Sequence, residues 1–183
     1  MKDLATVWQI SLLIISFFFS PTFSFATIGD RLLLEINQHT FTQRELEIHM
    51  AIKSLALKPG SNFLDINETN WLKNLALFKK DMIIFQETRR LGRFQPSEER
   101  IQEIAVKVRN QLKNNKKWQS FSRRLGIERL TFLRSISNLI QIEEYRRLKE
   151  TSKDKNWLIE LENKYVIRTF RNAKTFKKIS PNL

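Results

Sequence analysis

Residues 31–46, RLLLEINQHTFTQREL, change from one kind of secondary structure to another within a few positions. Arg31 to Asn37 (RLLLEIN) carries the long and branched apolar side chains of a short strand, and Gln38-His39 follows as a turn. A helix starts next. Thr42 stands three residues before Glu45, the spacing of a capping box, and Phe41 and Leu46 occupy the two positions of a hydrophobic staple. From Leu46 an apolar face continues through Ile48, Met50, Ile52, Leu55 and Leu57, and Pro59-Gly60 should stop it.

The rest of the chain repeats this helical grammar. Trp71, Leu72, Leu75, Phe78, Met82, Phe85 and Leu91 recur at helical spacing, predicting a helix over about 68–91. Gly92 fits the left-handed position that ends it. Ser97 opens a third helix with Glu98 and Glu99 in its first turn, where they complement the dipole. Its apolar side is Ile101, Ile104, Ala105, Val108 and Leu112. A short helix over 117–125 carries Trp118 and Phe121 and stops at Gly126. A long one follows over 128–150, and Asn156 to Asn163 is helical again. Tyr165 to Arg168 then alternates like a strand. The expected fold is mainly α: a multi-helix domain whose two chain ends form a small two-stranded β-ribbon.

Composition narrows the chemistry. The 183 residues include no cysteine and two histidines, His39 and His49, whose spacing matches no metal-ligand motif. No two glycines lie close enough to make a phosphate-cradling loop, so no nucleotide cofactor is expected. Adjacent acids such as Glu98-Glu99 and Glu143-Glu144 point to different sides of a helix. Ser120 and Ser122 have no base placed to activate them. No cofactor, metal or catalytic residue is expected, and the chain reads as a non-enzyme.

The formal charge is +13, and the excess is concentrated. Lys107, Arg109, Lys113, Lys116, Lys117, Arg123 and Arg124 fall between Ala105 and Ile127 with no acidic residue among them. A second acid-free run reaches from Asn163 to the end. Such a field favours acidic partners. Lys113, Lys116, Lys117, Arg123 and Arg124 form the expected basic patch.

At the other end, Leu4 to Phe19 is almost wholly apolar and is followed by Pro21 and Ser24-Phe25-Ala26. Small residues at −3 and −1 to a cut after Ala26, on an apolar run shorter than the roughly 20 residues of a membrane span, describe an export signal. Lys2 is offset by Asp3, which leaves an uncleaved anchor as the alternative. The expected organisation is a signal over 1–26, one helical domain over 27–170 and a basic flexible tail over 171–183.

Three passages carry a resemblance. Leu34 to Leu46 resembles the opening strand, turn and "I-T-x-x-E-L" helix entry of the SurA-type periplasmic chaperones. Leu125-Gly126-Ile127, with Leu130, Leu133, Ile136, Ile140 and Tyr145 after it, is similar to the "L-G-[IL]-[ST]" turn and long helix of the same N-terminal chaperone domain. Trp157 to Leu161, leading into Tyr165 to Arg168, resembles the helix and strand that return to that domain. The likeness covers about 28–170. Gln38-His39 departs from the family's turn glycine. Only Thr151 to Asn156 bridge the place where many members insert a parvulin isomerase, so isomerase activity should be absent.

The resemblance implies an ATP-independent periplasmic holdase for unfolded envelope or outer-membrane proteins. Such a protein needs apolar surface open to clients, and flexible methionines suit varied partners. The candidate client contacts are Met50, Trp71, Phe78, Met82, Phe85, Trp118, Phe121 and Phe132. Exchange of the end strands would make a homodimer. The alternative is a binder of nucleic acid or an anionic membrane surface, since Lys116-Lys117-Trp118, Phe121 and Arg123-Arg124 interleave charge with rings. An export signal puts nucleic acid out of reach in most compartments.

Overall fold

The first strand and its turn form where the sequence marks them, the turn one residue earlier and leading into a second strand rather than directly into the helix. In the computed structural model, which describes residues 30–57, 64, 66–152, 156–175 and 177, β1 (Leu32–Ile36) pairs antiparallel with β2 (His39–Thr42), and Ile36 stands opposite His39. The turn residues are therefore Asn37-Gln38, not Gln38-His39. Both have positive φ, 45° and 71°, as a two-residue turn must to follow the strand twist. Asparagine adopts this conformation readily, whereas glutamine pays a steric cost that glycine avoids. Gln38→Gly should raise stability by about 0.5–1 kcal/mol in urea denaturation. A loss instead would show that the glutamine side chain holds the turn.

A register shift between Leu32 and Leu34 lets the neighbours Leu33 and Leu34 both reach the core. On its other side β1 pairs antiparallel with β3 (Ile167–Thr169), Leu34 opposite Thr169 and Ile36 opposite Ile167. Asn37 clasps the returning chain: its N–H donates to Val166 O at 3.0 Å, and its Oδ1 accepts the Val166 N–H at 2.9 Å. A two-stranded ribbon is thus replaced by a three-stranded antiparallel sheet of order β2-β1-β3. The strand that pattern reading missed is β2, which is too short to show its own alternation and merges into the helix cap.

Six helices make up most of the remaining described residues: α1 (Gln43–Leu57), α2 (Trp71–Leu91), α3 (Glu98–Leu112), α4 (Lys116–Arg124), α5 (Arg129–Thr151) and α6 (Trp157–Lys164). Their caps follow the local code. The Thr42 N–H donates to Glu45 Oε2 at 2.9 Å and the Glu45 N–H to Thr42 Oγ1 at 3.3 Å, a reciprocal box although Thr42 belongs to β2. Ser97 and Asn115 accept at the starts of α3 and α4, and Gly92 closes α2 at φ 62°.

Apolar residues gather in two cores. One lies between the sheet and α2 and takes in Leu46 and Met50 of α1, Ile142 and Tyr145 of α5, and Leu161 of α6. In the other, Ile48, Ile52 and Leu55 of α1 meet Val108, Phe121 and Ile136 from α3, α4 and α5. Helix α1 serves both cores, so it is buried on most of its faces.

The returning chain is fastened by Glu87 of α2. Its carboxylate accepts from Lys164 Nζ at 2.9 Å, Tyr165 OH at 2.6 Å and Arg90 Nε at 2.8 Å. The Arg90 hydrogen bond, against the opposing effect of burial and with help from Tyr165 and Lys164, holds the Glu87 pKa down to about 2.

The expected signal over 1–26 lies outside the described residues. The expected flexible tail is corrected at its start. Arg171–Lys174 form a 3₁₀ turn with Ala173 buried. Trp71 Nε1 donates to Ala173 O at 2.7 Å, and Arg31 donates to the carbonyls of Asn172 and Thr175. A buried indole N–H needs an acceptor, and this segment supplies it.

Candidate functional site

Helices α3, α4 and α5 leave an open groove of about 690 Å³ between them. Its floor is Leu112, Trp118, Ile127 and Phe132, and Arg109, Lys113 and Arg129 stand around it with one acid, Glu128. The rings are held in fixed relation. Trp118 meets Phe132 edge-on at 6.3 Å and lies 5.7 Å from Phe121, and the Arg109 guanidinium sits 5.7 Å over Phe132. Leu130, beside Arg129 in the first turn of α5, is 72 % exposed.

The groove has a rigid back. Arg44 of α1 reaches the turn between α4 and α5, its Nε donating to Leu125 O at 2.7 Å and its Nη2 to Gly126 O at 2.9 Å. Arg124 Nη2 lies 3.0 Å from the fully buried Glu47 carboxylate of α1, and its guanidinium is 5.2 Å from the Phe121 ring centre. Two arginines therefore tie α4 and the turn after it to α1.

Burial removes most of the candidate client contacts from the surface. Met50, Trp71, Phe78 and Met82 are buried in the core under the sheet, and Phe121 is buried behind the groove. None of these five presents a surface to a partner in this state. Helical spacing marked them because a core-facing stripe and a client-facing stripe have the same period. Phe132 is also mostly buried but shows an edge in the groove, where Trp118 is half-exposed. Phe85 is half-exposed elsewhere, at the end of α2.

The basic patch divides as well. Lys113 borders the groove, while Lys116, Lys117 and Arg123 are exposed on α4 outside its lining. Arg124 leaves the patch, since its charge is used internally by Glu47. Arg129 joins the rim; the acid Glu128 before it kept it out of the acid-free run.

A buried polar centre was not anticipated. Asp81 of α2 accepts from Lys53 Nζ at 2.6 Å and from Arg146 Nη2 at 2.6 Å, with His49 Nε2 at 2.8 Å. Glu143 pairs with Arg146 and lies 3.8 Å from Lys53. Burial by itself would raise the Asp81 pKa, but the hydrogen bond and charge of His49 and the charge of Lys53 outweigh it, holding the carboxyl well below the usual range. Held by three basic side chains and almost fully buried, this carboxylate ties α1, α2 and α5 together. The visible signal was the four-residue spacing of His49 and Lys53, which puts both on one face of α1.

Compared with known proteins, the chain matches no family model, no curated protein and no solved structure.

Proposed function

We propose that this protein is an ATP-independent periplasmic holdase of the SurA type, without isomerase activity, that binds unfolded envelope or outer-membrane proteins. The observation that carries the reading is the α3–α4–α5 groove, with aromatic floor, basic rim and fixed back. Its volume falls in the range of sites that enclose small ligands, roughly 300–1,000 Å³, enough for a few side chains of an extended segment. Apolar side chains exposed in an unfolded chain would fill the floor, and its acidic residues would meet Arg109, Lys113 and Arg129. Binding of this kind needs no nucleotide, because the driving force is removal of client apolar surface from water. The likeness of residues 34–46, 125–145 and 157–168 to the chaperone family supports the same assignment.

The test is binding of an unfolded outer-membrane protein titrated against salt, with the folded form and a DNA duplex as controls. Binding should require the unfolded state and persist at about 0.3 M salt, where purely phosphate-type contacts weaken steeply. Trp118→Ala should weaken it roughly tenfold or more, as for a truncated aromatic anchor. Equal binding to DNA and client, both lost with salt, would overturn the holdase reading. It would favour an anionic-surface binder instead, for which the exposed Lys116, Lys117 and Arg123 are the supporting observation.

A further inference from the structure

The C-terminal end of α2 and the loop after it carry three arginines with different surroundings. Arg90 is neutralised by Glu87, its Nε 2.8 Å from Oε2. Among the described residues, no carboxylate lies within ion-pair distance of Arg89 or Arg93, and both are exposed. These two border a second cavity, of about 380 Å³, between the end of α2 and the middle of α5. It lies apart from the groove, and no residue lines both.

Among the described residues, no acid lines this cavity. Phe85 forms an apolar wall with the Arg89 guanidinium 5.9 Å from its ring centre, and Ser137, Asn138 and Gln141 of α5 face the arginines across it. The Gln141 amide lies 3.5 Å from Ser137 Oγ and 3.5 Å from Thr88 Oγ1. With Ser137 accepting from Gln141, its O–H is left to donate, and Asn138 adds an amide N–H₂. Donors converge here and acceptor charge is missing.

The backbone beside Arg93 is strained. Phe94 has φ 68°, an uncommon conformation for a bulky side chain. It is held there by packing edge-on against Tyr145 at 5.5 Å. Strain of this kind persists only where the surroundings enforce it and is concentrated at functional sites. In this case it sets the path of the loop that carries Arg93. Complementing the α2 dipole explains a basic residue in the last turn, but not an acid-free, donor-lined cavity with a ring on one side.

We infer that this cavity binds an organic oxyanion, a phosphate ester or a carboxylate, with Arg89 and Arg93 on its charge and Phe85 against its apolar part. Two guanidiniums match an oxyanion's geometry and charge together. The volume exceeds what a bare phosphate fills, so the apolar wall is part of the site.

Calorimetric titration of the full chain with phenyl phosphate, benzoate and inorganic phosphate tests this. Phenyl phosphate or benzoate should bind more tightly than inorganic phosphate, and whichever of the two binds better identifies the anion class. Arg89→Gln with Arg93→Gln should weaken the better probe by roughly tenfold or more. Asn138→Leu, which leaves every charge in place, should weaken it comparably by filling the cavity. Lys116→Gln with Lys117→Gln should leave it within about twofold, as expected for charges outside the site. Equal loss in both double variants, or full binding by Asn138→Leu, would reduce the effect to the overall positive field and overturn the site. Circular dichroism of each variant separates loss of binding from loss of fold.

Discussion

Asp81→Asn is expected to destabilise the protein by about 3–5 kcal/mol, the cost of removing one member of a buried ion cluster and leaving its partners uncompensated. Asp81 is 1 % exposed, and it is the carboxylate against which Lys53 and Arg146 both sit at 2.6 Å. The change keeps the side-chain shape, so the loss is electrostatic rather than a cavity effect. For a chain of this length it corresponds to a fall in Tm of about 10 °C. Urea denaturation at neutral pH measures it, and a change below about 1 kcal/mol would show that the cluster is solvated. Combining the substitution with Arg146→Met should recover part of the loss, because the second change removes a stranded cation.

The same site fixes the sign of the acid dependence. The Asp81 pKa is lowered on folding from an ordinary value of 3.8. Its contribution is therefore complete above that ordinary value and is lost as pH falls through the folded pKa. Wild-type stability should drop in strong acid, and Asp81→Asn should remove this part of the slope. An unchanged slope would assign the acid transition to other carboxylates, with Glu87, whose pKa is about 2, the first to examine.

Trp71→Ala should cost about 3–5 kcal/mol, as expected for truncating a fully buried ring. Trp71 is 1 % exposed under the sheet, and its indole N–H holds Ala173 O at 2.7 Å. Two effects add: a void in the core, and a carbonyl of the terminal 3₁₀ turn without its donor. Trp71→Phe separates them by keeping most of the ring, leaving a loss of about 1 kcal/mol for the hydrogen bond. Amide exchange around 171–175 should quicken in both variants. If Trp71→Ala weakened client binding without changing stability, Trp71 would be a contact residue after all and its burial in this state would be transient.

The two Trp substitutions define complementary experiments. Trp71 should affect folding, whereas Trp118 should affect binding with a smaller effect on stability, because Trp118 is half-exposed on a short helix already fixed by Arg44 and Arg124. Sequence pattern gave these residues one role. The fold gives them two.

Much of the architecture can be read without coordinates because it is encoded locally. The Thr42–Glu45 box, the Ser97 cap and the Gly92 terminus each depend on residues within a few positions of one another, and each appears where the chain marks it. Apolar periodicity likewise locates the helices, since a face must be buried by something. β2 was not legible, because four residues carry too little alternation to stand apart from a neighbouring cap. The positions of the end strands suggest that they pair, but not that β1 lies between β2 and β3, nor the register of a pairing across more than a hundred residues.

The sequence by itself determined a mainly helical chain with a strongly uneven charge, together with the caps that start and stop its helices. Tertiary structure alone decided that α1 lies between two cores and must pair Glu47 with Arg124 and His49 with Asp81. It also decided that most of the aromatic stripe faces inward, and that among the described residues Arg89 and Arg93 have no carboxylate at ion-pair distance while Arg90 is neutralised. The physical reason is range. Caps and periodicity act over one or two helical turns, whereas burial and charge pairing depend on which distant segments meet.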